Sequence, residues 1–287
     1  MILVFTLGQY SILSTRMDRY NGTAAVGKMM PASNCLDSGD CETFLISNSL
    51  NNSVPIFVSF IIPTMMRATL YRTAVSLKNQ TRDNWEAIMG IDMRGIKIDH
   101  FPKQFHDERF RYMLVATTAF KSPSSPGKNG AGEIRNAIIA SAARGEWVAF
   151  VDDDDTLSPH YVEWLEDSVM NEEKRGNKRV DVVLFRMKIG VRKNMSKDTI
   201  LPPFRHGNRA LNSWVGISFA VRRDLFTSNK IAFQTPSEPH MAEDYYFLKT
   251  AFKIGLNMQI ADCVAYFVRE DPKVQPGSCN LSRLTVV

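Results

Sequence analysis

From Pro55 onward, apolar runs alternate with amphipathic stretches along the chain. Ile56-Phe57-Val58-Ser59-Phe60-Ile61-Ile62 is β-branched and aromatic and stops at Pro63, the pattern of a strand buried on both faces. Thr69 to Asn79 then reads as a helix, with Leu70, Ala74 and Leu77 on one side. Further strands are predicted at Trp85 to Ile91, which runs into Asp92, at Tyr112 to Thr118, and at Trp147 to Val151. Helices are predicted over Glu133 to Ala143 and again after Pro159, a residue suited to a first helical turn. Farther on come a strand at Asp181 to Ile189, a strand or turn at Trp214 to Val221, a helix at Glu243 to Ile254 and a last strand at Cys263 to Val268.

This order predicts an α/β fold with a mostly parallel central sheet flanked by helices. Ligands of such sheets bind outside the carboxyl ends of the strands. Here those ends are Pro63-Thr64, Asp92 and Asp152 to Asp155, so carboxylates fall at the expected crevice.

Residues 1–54 read differently, as a loosely ordered N-terminal extension. Asn21 to Ser53 is rich in Asn, Ser, Gly and Asp and lacks periodicity. Met1 to Leu7 is apolar but short, and no basic residue precedes it, which argues against a secretory signal. It leaves open a weak membrane contact. Residues 55–270 form the predicted α/β domain and 271–287 a C-terminal tail.

The composition is that of a globular chain, with 44% hydrophobic and 23% charged residues over 287 positions. A net charge of +5 suits anionic partners, but no run of five or six basic residues points to nucleic acid. Four cysteines are too few for a disulfide-stapled scaffold. Cys35 and Cys41 are read either as surface thiols or as a local disulfide. Sequons begin at Asn21, Asn51, Asn79, Asn194 and Asn280. They and the Cys35/Cys41 pair lean toward a secretory compartment, while the missing signal and spanning helix lean cytoplasmic; the balance favours the cytoplasm.

Asp152-Asp153-Asp154-Asp155 is the most informative segment. Four consecutive carboxylates at a strand end repel one another unless a cation or solvent compensates. Mn²⁺ and Mg²⁺ prefer oxygen ligands, and residues two apart on an extended chain point to one side, so Asp152 and Asp154 can share a site. The alternative is a cluster of acids favouring a helix start, a role that suits Asp155. No HExxH, GxSxG or P-loop spacing offers a rival site; Gly127-Lys128-Asn129-Gly130 reads as a surface loop that could close over a diphosphate.

The surrounding motifs resemble one family. Gly132-Glu133-Ile134-Arg135-Asn136, a helix, Gly145-Glu146, an apolar strand, the aspartate run and Pro159 resemble the inverting glycosyltransferases of family 2, which have the GT-A fold. Ser59 to Thr64, Ser76 to Thr81, Trp85 to Asp92 and Met241-Ala242-Glu243-Asp244 match in the same order. The resemblance implies a nucleotide-diphosphate sugar as donor, UDP-linked, with a glycan, lipid-linked or protein hydroxyl as acceptor. Pro63 and Thr64 would then flank the nucleoside, Asp92 would bond the base, and Arg135 would contact base or diphosphate. Asp152 and Asp153 would lie at the donor. Asp154, with Asp152, would hold Mn²⁺ or Mg²⁺, Asp244 would be the general base, and Glu243 would stand beside it on the acceptor side.

Alternatives stay open at several positions. Arg135 could pair with Glu133 or Glu146 on a helix surface, Glu243 and Asp244 could serve only their helix start, and Trp214 could stack on a sugar or belong to the core. The chain departs from the family after Asp92, where Met93-Arg94 replaces the usual Gly-Ser, at Met66, where a polar residue is usual, and in Tyr266 to Asp271, which lack a His. Two other functions compete. A nucleotidyltransferase of related fold also uses paired aspartates, but Arg135-Asn136 and Glu243-Asp244 argue against it. A binding protein that has lost turnover would fit the altered Asp92 region.

Overall fold

A computed structural model of the chain describes residues 43–46, 55–92, 107–115, 130–174, 176, 179–190, 199–203, 216–234, 242–269 and 278–286. The strands are β1 (Thr43–Ile46), β2 (Val58–Thr64), β3 (Trp85–Asp92), β4 (Phe110–Val115), β5 (Trp147–Phe150), β6 (Thr156–Leu157), β7 (Val182–Ile189), β8 (Thr199–Leu201), β9 (Phe219–Arg222), β10 (Met258–Val268) and β11 (Ser278–Val286). The helices are α1 (Leu70–Lys78), α2 (Ala131–Ser141), α3 (Tyr161–Lys174), α4 (Asp224–Thr227) and α5 (Glu243–Lys253).

One sheet joins the strands in the order β1-β4-β3-β2-β5-β9-β7-β10-β11, with β6 beside β10 and β8 beside β7. Its central block, β4-β3-β2-β5, is parallel, as is the pair β7 and β10. β9 runs antiparallel between β5 and β7. Every residue of β2, β3, β4 and β5 is buried, which explains why these strands read as unbroken apolar runs instead of alternating ones. The sheet also reaches past the 55–270 limits: β1 pairs with β4, and β11 pairs with β10. Cys263 faces Cys279 across β10 and β11, and the two are joined as a disulfide.

β2 extends through Pro63 to Thr64 instead of stopping before the proline. The carbonyls of Phe57 and Ile61 accept hydrogen bonds from Trp147 and Val151, so these odd-numbered residues face β5. Pro63 faces the same side, but the register with β5 ends at Ile61 opposite Phe150. The missing N–H therefore costs no ladder bond. Beyond that point β2 continues to Thr64, while the chain after β5 turns at Asp152–Asp155 at the sheet's carboxyl edge.

Two packing features hold the elements around this edge. Phe150 of β5 sits edge-on to Phe219 and Phe233, at ring distances of 5.2 and 4.9 Å. Phe247 of α5 stacks on Phe219 and Phe233 at 5.3 and 4.6 Å. Phe247 lies three residues after Asp244, so the aromatic cluster also sets the position of the α5 start. On the other flank, the Gln80 side chain donates to the Ser158 carbonyl (2.8 Å) and accepts from the Val162 N–H (3.2 Å). That satisfies an N–H of the first turn of α3 and ties α1 to it.

Among the described residues, no helix is long and apolar enough to cross a membrane. Met1 to Leu7, Asn21, Cys35, Cys41, Asn51, Met93, Arg94, Lys121 to Asn129, Asn194, Trp214, Met241 and Glu270-Asp271 lie outside the described residues.

Candidate active site

The aspartate run is a turn, not an extended strand end: the Asp155 N–H donates to the Asp152 carbonyl at 3.1 Å. This corrects the expectation that Asp152 and Asp154 point to one side, because the period of two holds only on an extended chain. Each of the four carboxylates is engaged by partners from other elements. Asp152 accepts from Arg135 Nη2 at 2.7 Å. Asp153 accepts from Thr64 Oγ1 at 2.8 Å and lies 3.4 Å from Arg67 Nη1. Asp154 accepts from Arg269 Nε at 2.9 Å. Asp155 accepts from the Tyr266 hydroxyl at 2.8 Å and the Arg269 N–H at 3.0 Å. These cations and donors offset part of the mutual repulsion; burial and the repulsion that persists keep the carboxyls of Asp153 and Asp155 raised.

The turn is clamped from both sides. The Thr73 hydroxyl of α1 donates to the Asp155 carbonyl at 2.7 Å. The Tyr266 hydroxyl of β10 accepts from the Asp152 N–H at 3.2 Å while donating to Asp155, so it bridges the two ends of the turn. Asp155 is thus not a cap of the next helix; it fastens the turn to the end of β10. Its burial, with the charge of Asp152 nearby, pushes its carboxyl up to about 7.

Arg135 is the hub. Its side chain is only 4% exposed. Its two terminal nitrogens engage Asp152 and Glu243, so neither Glu133 nor Glu146 is its partner. Burial opposes its charge, but Asp152, Glu243 and Asp244 hold its proton more tightly than usual. Glu243 also accepts from the Gly132 N–H at 3.1 Å, and a Cβ at Gly132 would stand 2.8 Å from that carboxylate oxygen. Asn136 makes two bonds to the Phe233 backbone, at 2.8 and 2.9 Å. The Arg-Asn pair of α2 therefore divides its work: one residue holds carboxylates, the other holds the segment carrying Phe233.

Asp244 opens α5 beside Glu243. Its Oδ1 accepts from the Tyr245 N–H at 2.7 Å. Burial raises the proton affinity of both Glu243 and Asp244. Burial likewise raises that of Asp153, against the Thr64 bond and the Arg67 charge.

Thr64, Arg135, Asp152, Asp153, Asp154, Glu243 and Asp244 are thus gathered at one edge. Pro63 lies in β2 beside Gly90. Asp92 ends β3 opposite Val115, buried, with β2 between it and the aspartate turn. Tyr266 and Arg269 were not singled out as site residues from the sequence. They reach the turn only through the pairing of β10 with β6, a relationship no local pattern carries. Among the described residues, no group of three or more His, Cys, Asp or Glu side chains is arranged to hold a metal ion.

Comparison with known proteins bears on this edge. No profile of a known protein family matches the chain. Among solved structures, residues 1–349 of S. aureus TarS superpose on 74% of the chain with a TM-score of 0.54 and 22% identity. The chain has the GT-A glycosyltransferase fold. The same TarS fragment has been solved with UDP (TM-score 0.51, 21% identity) and with UDP-GlcNAc (TM-score 0.51, 20% identity). A Bacillus subtilis (strain 168) protein named "Putative glycosyltransferase EpsH" is 31% identical over 109 residues, 38% of this chain. The chain spans 29% of the length of EpsH and 60% of the TarS fragment.

Proposed function

We propose that the chain transfers a sugar from a nucleotide-diphosphate donor, UDP-linked, to a hydroxyl of a glycan, lipid-linked or protein acceptor, with inversion. One observation carries this reading: the turn Asp152–Asp154 after β5 meets the Glu243-Asp244 start of α5 through the shared Arg135, at the carboxyl edge of a GT-A sheet. The UDP and UDP-GlcNAc complexes of TarS support the donor class.

Asp244 is the general base. It takes the proton of the acceptor hydroxyl as that oxygen bonds to the anomeric carbon, while the bond from that carbon to the diphosphate oxygen breaks on the opposite face. Its raised proton affinity suits this task. Glu243 works beside it by fixing Arg135 and, through it, Asp152. Pro63 and Thr64 flank the nucleoside, Asp92 meets the base, and Asp153 keeps Thr64 in place.

Carboxylate oxygens are the donors that Mn²⁺ or Mg²⁺ prefers, and Asp154 is the residue of the turn that would hold such an ion, while Asp152 is turned to Arg135. Such an ion would neutralise charge on the departing diphosphate.

The test is a thermal-shift series with UDP, GDP, dTDP and CMP, with and without Mn²⁺. Ligand that binds only the folded chain raises its melting temperature. A UDP-selective shift is expected, and incubation with UDP-sugars and an acceptor panel then gives a product of inverted anomeric configuration. No shift with any nucleotide would overturn the donor assignment; a product of retained configuration would overturn Asp244 as base.

A further inference from the structure

The site holds three arginines in two distinct conditions. Arg135 is buried, and its terminal nitrogens are both engaged by carboxylates. Arg67 and Arg269 reach the turn from two different loops, after β2 and after β10, and their side chains are 55% and 64% exposed. Arg269 Nε bonds Asp154 at 2.9 Å; Arg67 Nη1 lies 3.4 Å from Asp153 and 4.0 Å from Asp154. The two guanidinium groups therefore meet at Asp154.

The Arg269 backbone is held apart from its side chain. Its φ is +58°, a conformation side-chain-bearing residues rarely take, and its N–H donates to Asp155 at 3.0 Å. Such a backbone persists only where the surroundings over-determine it, and it often marks a functional position. Here it aims a long, water-exposed guanidinium over the aspartate turn. Exposed ion pairs contribute little to stability, so the contact with Asp154 is released at small cost.

Resting on the donor reading above, we infer that Arg269, with Arg67 opposite it, is a diphosphate-binding residue: it rests on Asp154 in the free chain and turns to the donor diphosphate when that arrives. The chemistry fits, because a planar guanidinium matches phosphate oxygens in a bidentate fork. The charge balance fits as well. Asp152, Asp153, Asp154, Glu243 and Asp244 crowd this edge, so a diphosphate can settle only where positive charge faces it. Release of Asp154 by Arg269 also leaves an oxygen for a divalent ion.

The test is titration of the full chain with uridine, UMP, UDP and inorganic pyrophosphate, each with and without Mn²⁺. Wild type is compared with Arg269→Gly, Arg269→Lys and Arg67→Ala. Glycine adopts positive φ freely, so Arg269→Gly removes the side chain without straining the turn. The expected result is at least a tenfold loss of UDP and pyrophosphate affinity in Arg269→Gly, with uridine and UMP affinity within twofold of wild type. Arg269→Lys should fall between, since a point charge replaces the fork, and Arg67→Ala should show a smaller loss of the same selectivity. If wild type binds UDP and Arg269→Gly binds it equally well, the role of Arg269 is overturned while the donor reading stands. If wild type binds pyrophosphate but no nucleotide, the donor reading falls and Arg269 is judged on pyrophosphate alone. A wild-type chain that binds none of the four overturns both.

Discussion

Arg135 donates a 2.7 Å hydrogen bond to Asp152, and the same guanidinium holds Glu243 with its other terminal nitrogen. One buried cation thereby couples the turn after β5 to the start of α5. The two halves of the proposed site, donor-side carboxylates and acceptor-side base, are set relative to each other by this residue.

Removing that cation leaves the largely buried Glu243 carboxylate with the Gly132 N–H at 3.1 Å as its hydrogen-bond donor among the described residues. Breaking one partner out of a buried pair costs about 3–5 kcal/mol. Arg135→Met is expected to lose stability of that order in urea unfolding. Arg135→Met combined with Glu243→Leu should recover the part of the loss that comes from Glu243, because that carboxylate is then no longer left unpaired. A double variant no more stable than the single one would show that Arg135 acts through something other than this pair.

Gly145 is packed against backbone atoms. A Cβ there would meet the Ser59 nitrogen at 2.6 Å, and the Trp147 oxygen and Val58 carbonyl carbon at 2.8 Å, all backbone atoms of two strands or their flanks. Gly90 is also tight, but its Cβ would meet Ile134 Cγ2 at 2.3 Å and Ile138 Cδ1 at 2.6 Å, which are side chains that can shift. Overpacking of the yielding kind costs about 1–3 kcal/mol. Gly145→Ala is expected to exceed Gly90→Ala in lost melting temperature. The reverse order would mean that the strands around Gly145 can separate.

Glu86 gives the chain an acid-sensitive support. It is fully buried; burial pushes its carboxyl up, but the Arg111 charge and the bonds from Arg144, Ser59 and Arg111 outweigh it and hold it below 4.5. A carboxyl bound more tightly as its anion in the folded state stabilises above its unfolded value and loses that contribution as pH falls through the folded one. Glu86→Gln should therefore be less stable than wild type at neutral pH and converge with it in acid. Parallel stability curves for the two chains below pH 4.5 would remove Glu86 from this role.

The sequence was legible where burial is two-sided and contiguous. Ile56 to Ile62, Trp85 to Ile91 and Trp147 to Val151 read as strands because both faces are covered, and the observed β2, β3 and β5 fall on them within two residues at each end. The first half of β10 was hidden by Gln259 and Asp262. Both sit in the strand with a partner across the fold: Gln259 Nε2 donates to Glu172 at 3.0 Å, and Asp262 accepts from Arg186 at 2.8 Å. The direction of β9 could not be read either, since Phe219-Ala220-Val221-Arg222 carries no sign of whether it runs with or against β5. At the site, the carboxylates were visible as a run, but their partners were not. Tyr266 and Arg269 meet the turn across 111 and 115 residues of chain, a closeness that only the assembled sheet creates.

Asp244 carries the chemistry in the proposed reaction, and its environment makes that testable by pH as well as by substitution. Burial raises its proton affinity, the charge of Asp152 adds to this, and the Tyr245 N–H and Arg135 only partly oppose them. A base must be unprotonated to act, so the acid limb of the kcat profile is expected above the ordinary aspartate value of 3.8, with activity lost as pH falls through it. Asp244→Asn should lower kcat by roughly 10²–10⁴-fold, the range for a lost general base, while UDP affinity stays near wild type. Its stability behaves oppositely to that of Glu86. A raised folded value means the favourable contribution is present below 3.8 and lost as pH rises through the folded value. The Asn variant is therefore expected to be at least as stable as wild type at neutral pH, which separates a catalytic loss from a folding one. A variant that keeps normal turnover, or one that loses activity only in step with its stability, would move the base to another residue.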